Sequence, residues 1–227
     1  PHVNAICQEI KTKYEYADAD YMVVVPSGIL DIITEGRALH HCAGSSDRYW
    51  DRIERRESFV MFLRKTADPF HAYYTLEVEP DGTVRQKRTE YDRQKKAIEQ
   101  ATEFLQKWQR GVTARLTESD KALAAESRVL REKEFIQLKK DRVIIHTGHL
   151  AGRLLADVLM ADLMENTEHR AGEAPRKLHA NHGEDGGQGV LEGVRSLMKK
   201  EGAEHETNWK SGSGLRQATG CAAAGWQ

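Results

Sequence analysis

Three reactive side chains stand in a row at His40, His41 and Cys42, just before Ala43 and Gly44. Neighbouring residues point apart, and no C-x-x-C or H-x-x-x-H spacing lies close by, so a metal site is not expected. The other chemistry open to them is a thiol nucleophile served by a histidine across space. A thiol just ahead of a helix N-terminus has a lowered pKa and a larger reactive thiolate fraction. Cys42 precedes a helix that Ser45 to Asp47 would cap, with His41 as acid or base. In the competing reading, Cys42 is a small buried hydrophobe and one histidine a hydrogen-bonded core residue. Such proximity arises often without function, so that reading weighs more.

A second constellation lies on predicted strands. Asp81-Gly82 is a hairpin turn signal, because a type I′ turn needs positive φ at both central positions. A two-residue loop sets Pro80 against Thr83, Val78 against Arg85, Glu77 against Gln86 and Thr75 against Arg88. Side chains alternate faces along a strand. Tyr73, Thr75, Glu77, Gln86 and Arg88 then share one face, joined by Arg64, while Tyr74, Leu76 and Val78 take the other. A carboxylate on a half-buried strand seeks a cation, which Arg64 or Arg88 would supply in bidentate form. One acid (Glu77, the orienting carboxylate) with two guanidiniums, Thr75 and Gln86 suits a phosphate-bearing or nucleotide ligand. A structural ion-pair network explains the same residues, and somewhat better.

The elements that must position these groups follow from patterning. Residues 1–20 are polar with scattered Ile6, Ile10, Tyr14 and Tyr16, and read as a frayed helix or the end of a preceding region. Tyr21 to Val25 is a β-branched strand that Pro26 stops. Ser27 caps a helix with one stripe of Ile29, Leu30, Ile32 and Ile33, ended by Gly36. The helix from Asp47 to Arg56 buries Tyr49, Trp50 and Ile53 and turns Arg48, Arg52, Arg55 and Arg56 away. Strands are expected at 59–65, 72–79 and 84–90. An amphipathic helix over 94–110, broken by Gly111, covers the apolar face of the sheet. Thr117 to Asp120 caps a long charged helix to Lys140, with a stripe at Leu123, Leu130, Phe135 and Leu138. Val143 to Ile145 reads as a short strand. Gly148 precedes a third helix carrying Leu150, Leu154, Leu155, Val158, Leu159 and Leu163.

Over the 227 residues, 39% are hydrophobic and 30% charged, so a packed core accounts for about half the chain and solvated helices for much of the rest. The net charge of −1 excludes a global field toward nucleic acid or anionic lipid. Two local basic groups, Arg48/Arg52/Arg55/Arg56 and Arg85/Lys87/Arg88/Arg93/Lys95/Lys96, have sparse aromatic interleaving and read as solvated faces laced with ion pairs. Three widely spaced cysteines, Cys7, Cys42 and Cys221, argue for a reducing compartment. No apolar run reaches membrane-spanning length and no charged-then-apolar leader is seen, so a cytoplasmic protein without membrane contact is expected. His146/His149 and His179/His182 read as surface histidines, and no phosphate-cradling glycine motif occurs. After Glu165 glycine, histidine and charge dominate, which reads as a flexible tail with at most a weak helix at 190–199.

Glu35-Gly36, then Leu39 to Cys42 with Gly44, Tyr49, Phe62-Leu63-Arg64, Pro69, Thr75 to Val78 and Gln86 together resemble the PcfJ-like family, over roughly residues 26–110. The family's Gly and Asn after the glutamine are replaced by Lys87 to Asp92. The resemblance implies an accessory role in mobile-element transfer or maintenance, on conjugative plasmids, integrative elements and phages, without a settled activity or cofactor.

The expectation is therefore an α+β fold: a small antiparallel sheet flanked by helices (1–110), then a helical extension (111–165) and a flexible tail (166–227). Two functions stand. One is a pocket of His40, His41, Cys42, Arg64, Glu77 and Gln86 that binds, or acts on, a nucleotide or nucleic-acid end. The other is a non-catalytic adaptor whose helices over 94–165 dock a protein partner of a transfer apparatus.

Overall fold

The computed structural model describes residues 2–44 and 47–171, with Gly44 and 168–171 described by backbone alone. Five antiparallel strands form one sheet in sequence order: β1 (Tyr16–Ala17), β2 (Tyr21–Val24), β3 (Phe59–Lys65), β4 (Tyr74–Val78) and β5 (Val84–Arg88). Helices α1 (His2–Tyr14), α2 (Ile29–Ala38), α3 (Asp47–Glu54), α4 (Thr102–Thr113), α5 (Glu118–Lys140) and α6 (Leu155–Ala171) flank it. This is the expected α+β class with a helical extension. The expected helix at 190–199, His179 and His182, Cys221 and the tail beyond 171 lie outside the described residues. Among the described residues no helix is long and apolar enough to cross a membrane.

Alternation gives the sheet two unlike faces. Phe59, Met61 and Leu63 on β3 stand beside Val78, Leu76 and Tyr74 on β4, all buried, and make the apolar face. Tyr14 of α1 packs its ring on Phe59 at 5.6 Å and donates from Oη to the Pro80 carbonyl at 2.7 Å. Trp108 of α4 donates from Nε1 to the Tyr14 carbonyl at 2.6 Å, tying the two covering helices together. The first residues are thus no frayed end. Val3, Ile6, Cys7, Ile10 and Tyr14 recur at helical steps and are buried in the main core.

The β4–β5 hairpin departs from the expected two-residue loop. Gly82 N–H bonds the Glu79 carbonyl at 2.9 Å, and Glu79 N–H bonds the Thr83 carbonyl at 2.8 Å. The loop is three residues long, with Gly82 at φ 85 in the left-handed region. Val78 consequently faces Val84, and a bulge inserts Arg85 before Glu77 regains Gln86 and Thr75 regains Arg88. Two irregularities cancel, so the polar pairs keep the expected register. Arg85 gains something by it: both it and Gln86 reach Glu77.

The other face carries Val60, Phe62, Arg64, Thr75 and Glu77, and α2, α3 and α5 serve it. On α5, Thr117 and Asp120 form a reciprocal capping box. Its inner face is Ala124, Ser127, Arg131 and Phe135, not the expected leucine stripe, because it rests on charge: Arg131 pairs with Glu79, and Ser127 accepts from Arg85 at 3.0 Å. α6 runs beside β5, where Lys87 donates to Asn166 at 2.8 Å.

Several local expectations need correction. Gly36 and Gly111 lie inside α2 and α4; packing carries both helices through them, and α2 ends just before His40, at φ 51. The N-cap of α2 is Gly28, and Asp31 accepts from the Ser27 amide, so Ser27 is held rather than capping. Leu30 is 78% exposed because α2 turns Ile32 and Glu35 inward instead. Residues 143–145 make only an isolated bridge, Ile144 with Leu154, and α6 begins after Leu150 and Leu154.

Candidate functional site

A cleft opens where the turn after α2, the start of α3, β4, β5 and the turn after β5 meet. His41, Cys42, Tyr49, Thr75, Glu77, Gln86, Arg88 and Asp92 line it, over a floor that includes Val60 and Leu76. Its enclosed volume is about 20 Å³, room for one water-sized group, so it takes no more than the tip of a larger molecule.

Hydrogen-bond directions define the chemistry of this wall. Ala43 N–H donates to His41 Nδ1 at 3.3 Å, so the ring proton sits on Nε2, which donates to Thr75 Oγ1 at 2.9 Å. Burial, and then the Arg88 charge, push His41 down to about 4, so the ring is neutral near pH 7. With one nitrogen donating and the other accepting, His41 is placed to hold Thr75 and not to shuttle protons. Thr75, whose oxygen already accepts, turns its own proton elsewhere.

A second chain of bonds runs from Glu77. Gln86 Nε2 donates to Glu77 Oε2 at 2.7 Å and to Tyr49 Oη at 3.1 Å, and Cys42 Sγ stands 3.9 Å from that hydroxyl.

Glu77 itself is saturated. Arg52 lies 2.5 Å away, Ser58 Oγ donates at 2.7 Å, and Arg85 is at 3.5 Å. Burial alone would raise its carboxyl, but Arg52, Arg85 and the Ser58 bond outweigh it and hold the group down at about 2. Glu57, Glu79, Arg131 and Glu134 extend the cluster, since Arg85 bonds Glu57 at 3.0 Å and Glu79 at 2.9 Å, Arg131 pairs with Glu79, and Arg52 with Glu134. Buried charges persist only when paired; here the carboxylates named all meet guanidiniums, while Arg131 Nε is left without a hydrogen-bond partner.

The structure brings six of the sequence-derived residues together at the cleft: His41, Cys42, Thr75, Glu77, Gln86 and Arg88. Two stay out. His40 is exposed and stacks on Tyr91 with ring centroids 5.0 Å apart. Arg64 is buried elsewhere, in a bidentate pair with Glu35 at 2.6 and 2.5 Å, because α2 lays a carboxylate over that end of β3. Neither Arg64 nor Arg88 serves Glu77, as Arg88 pairs with Asp162 of α6. Arg52, expected to face away, and Arg85 and Lys87, expected on a solvated face, are all buried in ion pairs.

Sequence reasoning missed Tyr49 and Asp92 as cleft residues, and Arg52 and Arg85 as partners of Glu77. A half-buried tyrosine needs a partner for its hydroxyl, which was the available signal for Tyr49. The bulge that delivers Arg85 had none. Among the described residues, no group of three or more His, Cys, Asp or Glu side chains converges as for a metal ion.

Fold and cleft together define an α+β module: an antiparallel meander, apolar beneath, with an ion-paired upper face and a small polar cleft at its edge. Residues 2–104 match the model of the PcfJ-like protein family. The match includes α1 and stops before α5. An uncharacterized protein of Listeria innocua is 33% identical over 73 residues, 32% of this chain and 16% of that protein. The chain thus spans about a sixth of the length of that relative. No solved structure matches significantly.

Proposed function

We propose that this PcfJ-like chain is an accessory protein of a mobile genetic element, and that its cleft binds the phosphate-bearing end of a nucleotide or nucleic acid. The observation that carries this is the direction of the hydrogen bonds. Thr75 accepts from His41 and so offers its proton elsewhere, and Arg88 has more donors than Asp162 and the Lys87 carbonyl use. These two donors call for an acceptor-rich partner, and phosphate oxygens are such acceptors. Glu77 does not oppose this, since Arg52 and Arg85 neutralise it. The cleft excludes a whole nucleotide, and only the tip of a phosphate would enter it. A neutral, doubly bonded His41 favours binding over proton transfer.

Thermal unfolding with inorganic phosphate, a mononucleotide panel and paired phosphorylated and unphosphorylated dinucleotides tests the reading. A ligand that binds only the folded state raises the apparent Tm, by the equivalent of about 2.7 kcal/mol at one hundred times its Kd. Phosphorylated compounds should raise it, and Thr75→Val or Arg88→Met should remove the rise. A Tm unmoved by every phosphate-bearing compound ends the proposal. A second reading, a helical adaptor for a protein partner of a transfer apparatus, draws on Val129, Ile144 and Met164, exposed on the α5–α6 region. A Tm insensitive to phosphate together with partner capture lost on replacing those three by serine would favour it.

A further inference from the structure

Beside the cleft mouth the backbone holds an aromatic pair in an uncommon way. His40, Tyr91 and Asp92 have φ of 51, 56 and 57, and Tyr91 N–H bonds the Leu39 carbonyl at 2.9 Å, joining the two turns. Left-handed backbone in three such residues costs free energy at each, so the surrounding contacts must hold it. The result is that the His40 and Tyr91 rings lie nearly parallel, 8° apart, with Tyr91 still 55% exposed. Their flanking neighbours, His41 and Asp92, both line the cleft.

Charges of both signs surround this pair. Lys95 donates to Glu90 at 2.6 Å, and Lys95, His40 and His71 all act on that carboxylate. Arg93 and Arg153 are exposed and, with Arg88, lie close enough to act on His149. Phe70, next to His71, is 97% exposed.

We propose that the stacked His40–Tyr91 pair is the platform for the terminal base of a single-stranded nucleic acid whose end phosphate reaches the cleft, with Arg93 beside the following backbone. This rests on the phosphate-end reading of the cleft and names its ligand class. Every base offers a face for stacking, so the platform reads unpaired ends without sequence preference, while the cations follow the phosphates. A duplex keeps its terminal base paired and cannot lay it on the ring in the same way.

The test is anisotropy of a labelled 5′-phosphorylated DNA hexanucleotide, its RNA equivalent and a blunt duplex, on the full chain. Tyr91→Asn removes the ring while keeping a residue tolerant of positive φ, and Tyr91→Phe keeps the ring. Tyr91→Asn should weaken single-strand binding roughly 5- to 150-fold, Tyr91→Phe should not, and the phosphate-induced rise in Tm should survive in both. Unchanged hexanucleotide affinity in Tyr91→Asn overturns the platform and leaves the cleft reading standing. Loss of the phosphate response with Tyr91-dependent strand binding intact overturns the cleft reading and supports the platform. Equal affinity for the blunt duplex overturns it.

Discussion

Arg52 Nη1 stands 2.5 Å from Glu77 Oε1, both side chains almost wholly removed from solvent. That single contact joins α3 to β4 beneath the cleft and anchors a cluster in which each buried carboxylate meets a guanidinium.

Replacing Glu77 by glutamine removes one of the carboxylates that Arg52 and Arg85 share, leaving Glu57, Glu79 and Glu134 in reach of them. Stranding a buried charge outright costs about 3–5 kcal/mol, so urea unfolding of Glu77→Gln should show a loss below that range. The Arg52→Met, Glu77→Gln double variant should lose clearly less than the two singles combined. Additive losses would show the pair to be uncoupled.

His41 makes stability depend on acid. Its folded pKa is pushed down from 6.5 to about 4. The unfolded chain takes up a proton below about 6.5 that the folded chain refuses, so stability is complete above that pH and declines as pH falls toward 4. At about 1.4 kcal/mol per pH unit the loss approaches roughly 3 kcal/mol. Glu77 adds little at the upper end of this window, because its depressed carboxyl loses its contribution only from about 4.5 down to about 2. Urea titrations at pH 7 and pH 5 should differ in wild type and converge in His41→Gln; the same difference in both would discount the histidine.

The two cysteines of the described residues should react unequally. Burial, with Asp31 adding to it, pushes the Cys7 thiol up to about 11 inside the core, whereas Cys42 is half-buried at the cleft. Iodoacetamide at pH 8 followed by peptide mass mapping should label Cys42 in the folded chain and Cys7 only after unfolding. Millimolar phosphate should slow labelling of Cys42 if the cleft is occupied.

Gly82 should resist substitution. At φ +85, an added Cβ would stand 3.1 Å from a methyl of Val112. The left-handed backbone alone costs roughly 1–2 kcal/mol with any Cβ present, so Gly82→Ala should lower the urea midpoint. An unchanged midpoint would mean that the hairpin relaxes without cost.

Much of the scaffold was legible because short-range rules act there. The short apolar run over 59–65 located β3 to the residue, and Thr117 with Asp120 announced the cap of α5. The Asp81-Gly82 turn was mistyped, yet Glu77 met Gln86 and Thr75 met Arg88 because the bulge at Arg85 compensated. Of the residues expected around one pocket, His41, Cys42, Glu77 and Gln86 line the cleft and His40 and Arg64 do not.

The sequence by itself determined the strands from β2 to β5, the cap of α5, the two unlike faces of the sheet and several of the side chains that crowd one end of it. Those outcomes follow from turn chemistry and side-chain periodicity over a few residues. Which cation would answer which carboxylate was decided only in three dimensions. Arg52 reaches Glu77 across 25 residues, Arg131 reaches Glu79 across 52, and Arg88 reaches Asp162 across 74. A charge carries no address in sequence; it pairs with whatever the helices landing on the sheet bring within reach, and burial then makes that choice expensive to reverse.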